Sequence, residues 1–248
     1  MPVTSAFAST RGSASRSTRR LAIFATTAVL AGAPLVALAA APAASPAPSV
    51  SADACPAVEV VFAPGTGPAD GIGREGQAFV DSLRSQVGDK SVGVYAVDYP
   101  TSEDSQWVAE GANDASSHVQ ATATNCPDTK IVLGGYSQGA VVIDAITSAA
   151  TPTLGFTELM PPEVADHVAA VAVFGNLSNR VLGQPLTSLS PLYGAKAIDL
   201  CNGADPVCST GDDAAAHSRY VQSGLVQQGA AFAASRIGAN ATAHVAMT

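Results

Sequence analysis

An α/β fold with a mostly parallel sheet is predicted from three observations. Five short apolar, β-branched runs alternate with helical patterns, which is the signature of βαβ units and of a sheet covered on both faces. The segment Ile131 to Ala140 reads as an apolar strand, a G-x-S-x-G turn and the start of a helix. The turn-rich segments follow strands: Gly65-Thr66-Gly67 after the first, and residues 201–216 after the last. That collects them at the carboxyl edge, where sheets of this kind hold their sites.

The expected strands are Val58–Ala63, Ser91–Tyr99, Lys130–Gly134, Val168–Phe174 and Ala195–Leu200. Each is a short apolar run bounded by turn residues. Helical patterns fill the gaps at Gly73–Gln86, Gln106–Thr124, Gln138–Ala149 and His217–Ile237. The third is the clearest, with Val141, Val142, Ile143, Ala145 and Ile146 following the glycine turn.

The 248 residues do not all belong to this fold. Residues 1–20 carry Arg11, Arg16, Arg19 and Arg20 and no acid, and Leu21 to Ala41 is apolar with a small-residue cleavage pattern at Ala37-Leu38-Ala39. Residues 1–39 therefore read as a secretory signal peptide. The apolar run is long enough to span a bilayer, but Pro34 and its small-residue end argue against a stable membrane anchor. Arg19-Arg20 is a loose twin-arginine hint. Residues 40–54 form a Pro/Ala/Ser-rich spacer, 55–237 one folded domain, and 238–248 a flexible tail.

The leader takes four of the 12 basic residues and none of the 20 acidic ones, leaving a net charge of about −12. Such a surface disfavours nucleic acid and anionic membranes as partners. Four cysteines in an exported chain imply two disulfides, for which three pairings exist. Cys55–Cys126 and Cys201–Cys208 are favoured. The first two each precede a strand, and the second two flank a tight turn. By loop closure the long bridge contributes roughly 4 kcal/mol and the short one about 2–3 kcal/mol. A zinc site is the other use of four cysteines, but the sequence has no C-x2-C pair, so no metal is expected.

Within the glycine turn, Ser137 is the candidate nucleophile. Gly135 and Gly139 remove side chains that would collide there, and the helix that follows directs N–H groups at a developing oxyanion. A serine needs a base and an orienting acid. Of the four histidines, His118 reads as a solvated helix face, His167 lies at the wrong end of the sheet and His244 in the tail. His217 follows the last strand, on the correct edge and in the chain order Ser, acid, His. The acids on that edge are Asp199, inside a strand, Asp212 and Asp213, which read as helix caps, and Asp205. Asp205 is preferred because a bridge between Cys201 and Cys208 would hold its loop rigid. The N–H of Gln138 and a donor from Thr66 are the candidate oxyanion hole.

Taken together, Gly135-Tyr136-Ser137-Gln138-Gly139, Cys201-Asn202-Gly203-Ala204-Asp205-Pro206-Val207-Cys208, His217 with Tyr220 beyond it, Ala63-Pro64-Gly65-Thr66 and Phe174-Gly175-Asn176 resemble the cutinase family of small secreted serine esterases. The resemblance spans about residues 55–237. It implies an α/β-hydrolase three-layer sandwich with a five-stranded parallel sheet and no large lid. It also implies Ser137, Asp205 and His217 as triad, Thr66 and Gln138 as oxyanion hole, and the two disulfides above. Pro64 stands where the family often has arginine, which leaves the conformation of the first loop open.

The expected activity is hydrolysis of short- to medium-chain acyl esters, small or polymeric, by a secreted or cell-wall-associated monomer without a cofactor. An acyltransferase, a non-catalytic exported binding module and a peptidase are the rival readings. Leu182, Leu186, Leu189 and Leu192 either line an acyl groove or pack under a long loop. Of two glycosylation sequons, Asn176-Leu177-Ser178 is expected to shape its loop rather than carry sugar; the other is Asn240-Ala241-Thr242.

Overall fold

The computed structural model describes residues 55–67, 71–101, 107–148, 155–185, 188 and 190–243. The expected leader and spacer, Leu186, Leu189 and His244 lie outside them. The elements run β1 (Val58–Ala63), α1 (Gly73–Gln86), β2 (Val92–Ala96), α2 (Trp107–Asn125), β3 (Lys130–Tyr136), α3 (Gln138–Ser148), β4 (Val168–Phe174), α4 (Leu177–Leu182), β5 (Ala197–Leu200) and α5 (Leu225–Ala243). Short 3-10 turns occupy Pro162–Asp166, Gly194–Lys196 and Ala214–Ser218.

The five strands form one parallel sheet in the order β2-β1-β3-β4-β5. Alternate side chains along each strand point to opposite faces, and both faces are covered. Val61, Ile131, Leu133, Val171 and Val173 pack on one side against α2 and α3. Val60, Phe62, Val132, Ala170 and Phe174 pack on the other against α1 and α5. The helices meet the sheet at helical spacing: Phe79, Val80 and Leu83 on α1, and Ala112, Ala115 and Val119 on α2.

Differences from the sequence expectation have local causes. β2 stops at Ala96 rather than Tyr99, because the Asp114 carboxylate takes the N–H of Asp98 at 2.9 Å and draws the chain off the edge. β3 continues two residues further than expected, since Gly135 and Tyr136 stay paired with Val173 and Phe174. β5 starts later, at Ala197, after the 3-10 turn Gly194–Lys196. The single helix expected from His217 to Ile237 is two pieces. His217 sits in the turn Ala214–Ser218, capped by Asp213 (Oδ1 to the Ala215 N–H, 2.9 Å), and α5 begins only after Gly224, whose φ is 80°. Both favoured disulfides are present, Cys55–Cys126 and Cys201–Cys208, and they use all four cysteines.

Candidate active site

The turn between β3 and α3 is strained in the way the G-x-S-x-G spacing anticipates. Ser137 has φ 54°, the one non-glycine residue with positive φ among those described. A Cβ on Gly135 would lie 2.4 Å from the Gly139 carbonyl oxygen, and a Cβ on Gly139 would lie 1.9 Å from that of Ala63. No other residue fits at either position. The Ser137 N–H donates to Phe174 O at 2.8 Å, which ties the turn to the end of β4.

After β5 the chain enters the loop closed by Cys201 and Cys208. Asp205 within it is fully buried. Val207 N–H donates to its Oδ1 at 2.8 Å, and the Tyr220 hydroxyl donates to its Oδ2 at 2.6 Å. That same Oδ2 lies 2.7 Å from His217 Nδ1, and His217 Nε2 lies 2.9 Å from Ser137 Oγ. An ionised carboxylate only accepts, so Nδ1 carries the proton and Nε2 is left to accept from the serine hydroxyl.

The imidazole is held on several sides. The Tyr136 ring stacks on it with centroids 5.1 Å apart, and the Tyr136 hydroxyl donates to His217 O. Asn202 Nδ2 donates to Ala216 O at 3.0 Å, fastening the turn that carries the histidine. Burial first, and then the Asp205 carboxylate beside it, push the Tyr220 phenol far above its ordinary pKa, so it remains a donor.

The first loop is fastened on both sides of Thr66. The Tyr99 hydroxyl donates to Pro64 O, and Thr101 Oγ1 donates to Gly67 O at 2.8 Å. A Cβ on Gly65 would lie 2.7 Å from the Tyr136 ring, so this loop lies against the residue preceding Ser137. Gln138 opens α3. Thr66 also borders a cavity of about 310 Å³ lined by Gly65, Ile72, Arg74, Glu75 and Tyr136.

The remaining sequence candidates stand apart from this cluster. His118 is not on a solvated face, as expected, but stacks on Tyr95 at 3.5 Å and pairs with Glu59 at 3.2 Å. His167 lies before β4, with Nδ1 3.1 Å from Pro127 O. Asp213 pairs with Arg219, and Asp212 is exposed. Leu182 and Leu192 are exposed, as are Leu177 and Val181 on α4.

Asp199 belongs to a buried network that the sequence reading missed. Asn176 Nδ2 donates to Asp144 Oδ2 at 2.6 Å and to Asp199 Oδ2 at 2.8 Å. Burial raises the Asp144 pKa to about 7 and that of Asp199 to about 6, and bonds from the asparagine amides offset part of the rise. The available signal was Asp144 itself. It is an acid on the face of α3 that also carries Ala140, Ile143 and Thr147. Asn176 is fully buried and caps α4, accepting from Ser178 N–H at 3.0 Å, so its sequon offers no accessible amide for sugar.

A parallel sheet carrying a strained serine at a strand-to-helix turn, with a histidine and a buried aspartate beyond the last strand, defines an α/β-hydrolase of the ester-hydrolase kind. The chain belongs to the cutinase family, whose model matches residues 54–237. It is 54% identical over 179 residues to phospholipase Culp4 of Mycobacterium tuberculosis, covering 72% of this chain and 78% of that one. It is 53% identical over 184 residues to carboxylesterase Culp1 of the same organism, covering 72% and 80%. Among solved structures, the Trichoderma reesei cutinase bound to a phosphonate inhibitor superposes with a TM-score of 0.60 at 28% identity, covering 74% of this chain and 77% of that one. The catalytic core of acetyl xylan esterase from Trichoderma reesei gives 0.60 at 26% identity, covering 73% and 99%.

Proposed function

We propose that the chain is a secreted serine carboxylesterase that cleaves short- to medium-chain acyl esters, with Ser137 as nucleophile, His217 as base and Asp205 as orienting acid. The observation that carries this reading is the continuous chain Ser137 Oγ, His217 Nε2, His217 Nδ1, Asp205 Oδ2, with links of 2.9 and 2.7 Å. The first is within the reach needed for proton transfer from the attacking hydroxyl, and the second fixes the imidazole that receives it.

In this reading Ser137 Oγ attacks the ester carbonyl as its proton passes to His217 Nε2. The imidazolium is stabilised by buried Asp205, which does not itself take the proton. The negative oxygen of the tetrahedral intermediate rests on the N–H groups of Gln138 and Thr66. His217 then protonates the departing alcohol, deprotonates a water, and the acid leaves as Ser137 is regenerated. The cycle calls on no cofactor. Apolar Leu177, Val181 and Leu182, exposed on α4 at the same edge, favour lipid-like acyl groups. The names of the Mycobacterium tuberculosis relatives, a carboxylesterase and a phospholipase, fit that range. Export is part of the reading, supported by the basic and apolar leader and by the two disulfides.

The test is hydrolysis by residues 40–248 of p-nitrophenyl esters of increasing chain length, and of a phospholipid, with Ser137→Ala alongside. The expected result is turnover highest on short and medium chains and abolished in the variant. Activity that survives Ser137→Ala removes this assignment. A folded, oxidised protein with no turnover favours an acyltransferase that requires an acceptor, or a binding module.

A further inference from the structure

The turn after β4 touches Ser137, His217 and the end of the strand that leads to Asp205. Phe174 O accepts from Ser137 N–H, and Gly175 N–H donates to Leu200 O at 3.0 Å. Gly175 itself underlies the His217 ring. The next side chain is Asn176, fully buried, with its amide nitrogen between two carboxylates. A primary amide nitrogen has two hydrogens, so each carboxylate can take one. Asp144 lies on α3, the helix that starts directly after Ser137. Asp199 lies on β5, the strand that leads into the Asp205 loop. One amide thus joins the elements that present the serine, the support for the histidine and the acid.

Helix capping alone does not call for this residue. Serine or aspartate would accept from Ser178 N–H equally well. Only an amide accepts that bond at one end and gives two at the other. Ser178 also favours the charged form of Asp144, and Asn179 Nδ2 donates to Asp199 Oδ1 at 2.7 Å. Among the described residues, no lysine, arginine or histidine is ion-paired with either acid. Without the Asn176 donors the carboxylates would face one another with little to separate them, and the turn between them would move.

We infer that Asn176 is a positioning residue for catalysis: by clamping Asp144 and Asp199 it fixes the Gly175 turn against His217 and so sets the alignment of His217 with Ser137. The inference rests on the reading of Ser137, His217 and Asp205 as the triad.

Asn176→Ser tests it, because serine keeps the helix cap and removes both amide donors. The readouts are kcat and KM on p-nitrophenyl butyrate, normalised to reactive serines counted by nitrophenol release from a p-nitrophenyl phosphonate, together with Tm. Misalignment predicts kcat per reactive serine lower by about tenfold or more, with KM within about threefold. Asn179→Ala, which loses only a bond to Asp199, is the control, expected to lower Tm and leave kcat unchanged. If Asn176→Ser does not fold, Asp199→Ala removes one arm of the clamp without stranding a charge and carries the same prediction. A kcat per reactive serine within twofold of the parent overturns the inference, whatever happens to Tm. A parent that releases no nitrophenol, or a Ser137→Ala variant that still does, overturns the triad reading instead.

Discussion

Gly175 lies directly beneath the imidazole of His217: a Cβ there would stand 3.0 Å from Cε1 and 3.3 Å from Nδ1, on a backbone with φ 61°. Gly175→Ala therefore meets both a conformational cost and a crowded ring. The expected result is a loss of about 1–2 kcal/mol of stability and a fall in kcat of about tenfold or more, with KM little changed. Denaturant unfolding and steady-state kinetics check it. An alanine variant with parental kcat would show that the ring tolerates displacement.

Replacing the carboxylate proposed to orient His217 is a sharper probe. Asp205→Asn keeps the shape of the side chain but presents Nδ1 with a neutral group that can also donate. The expected loss in kcat is about 10³- to 10⁴-fold. Tyr220→Phe removes one of the donors to Asp205 Oδ2 and is expected to cost roughly 1–2 kcal/mol in stability, with a far smaller effect on rate. Equal losses from the two variants would contradict the division of roles.

The two disulfides are expected to separate stability from activity. Replacing Cys55 and Cys126 by serine opens a 71-residue separation far from Ser137 and should cost about 4 kcal/mol while leaving kcat near its parental value. Replacing Cys201 and Cys208, which are seven positions apart, frees the loop around Asp205. It should cost less stability, about 2–3 kcal/mol, and far more activity. Thermal unfolding paired with ester hydrolysis checks both, and the reverse ranking would refute the argument.

Asp144 predicts a pH dependence of stability. Burial raises its folded pKa to about 7 from an ordinary 3.8. Between those values the folded chain holds a proton that the unfolded chain has released, so stability from this group falls as pH rises and levels off above about 7. Asp144→Asn removes that penalty and leaves an acceptor for Asn176. Its Tm advantage over the parent is expected to be near zero at about pH 4 and several degrees at about pH 8. Scans at three pH values decide it. An advantage that does not change with pH would show that Asp144 ionises freely in the fold.

The parts of this molecule legible in the sequence are those written in short segments. β1 and β4 have the expected ends, and Ser137, Asp205 and His217 meet as chain order required. What escaped depends on contacts between distant segments. Asn176, Asp144 and Asp199 are separated by 32 and 23 positions from one another along the two bonds, and nothing local marks the pairing. α4 was missed for a different reason. Its apolar side chains Leu177, Val181 and Leu182 face outward and only Ser178 is buried, so no periodic stripe betrays it. The split before α5 turns on Gly224 inside an otherwise helical composition.

The left-handed backbone of Ser137 means that the residue proposed as nucleophile is one the fold itself would rather replace. A glycine there would relieve about 1 kcal/mol of backbone strain and leave the surrounding packing intact. Ser137→Gly is thus expected to be an inert protein that unfolds later than its parent. In a lineage no longer selected for turnover, drift at this position would run toward greater stability.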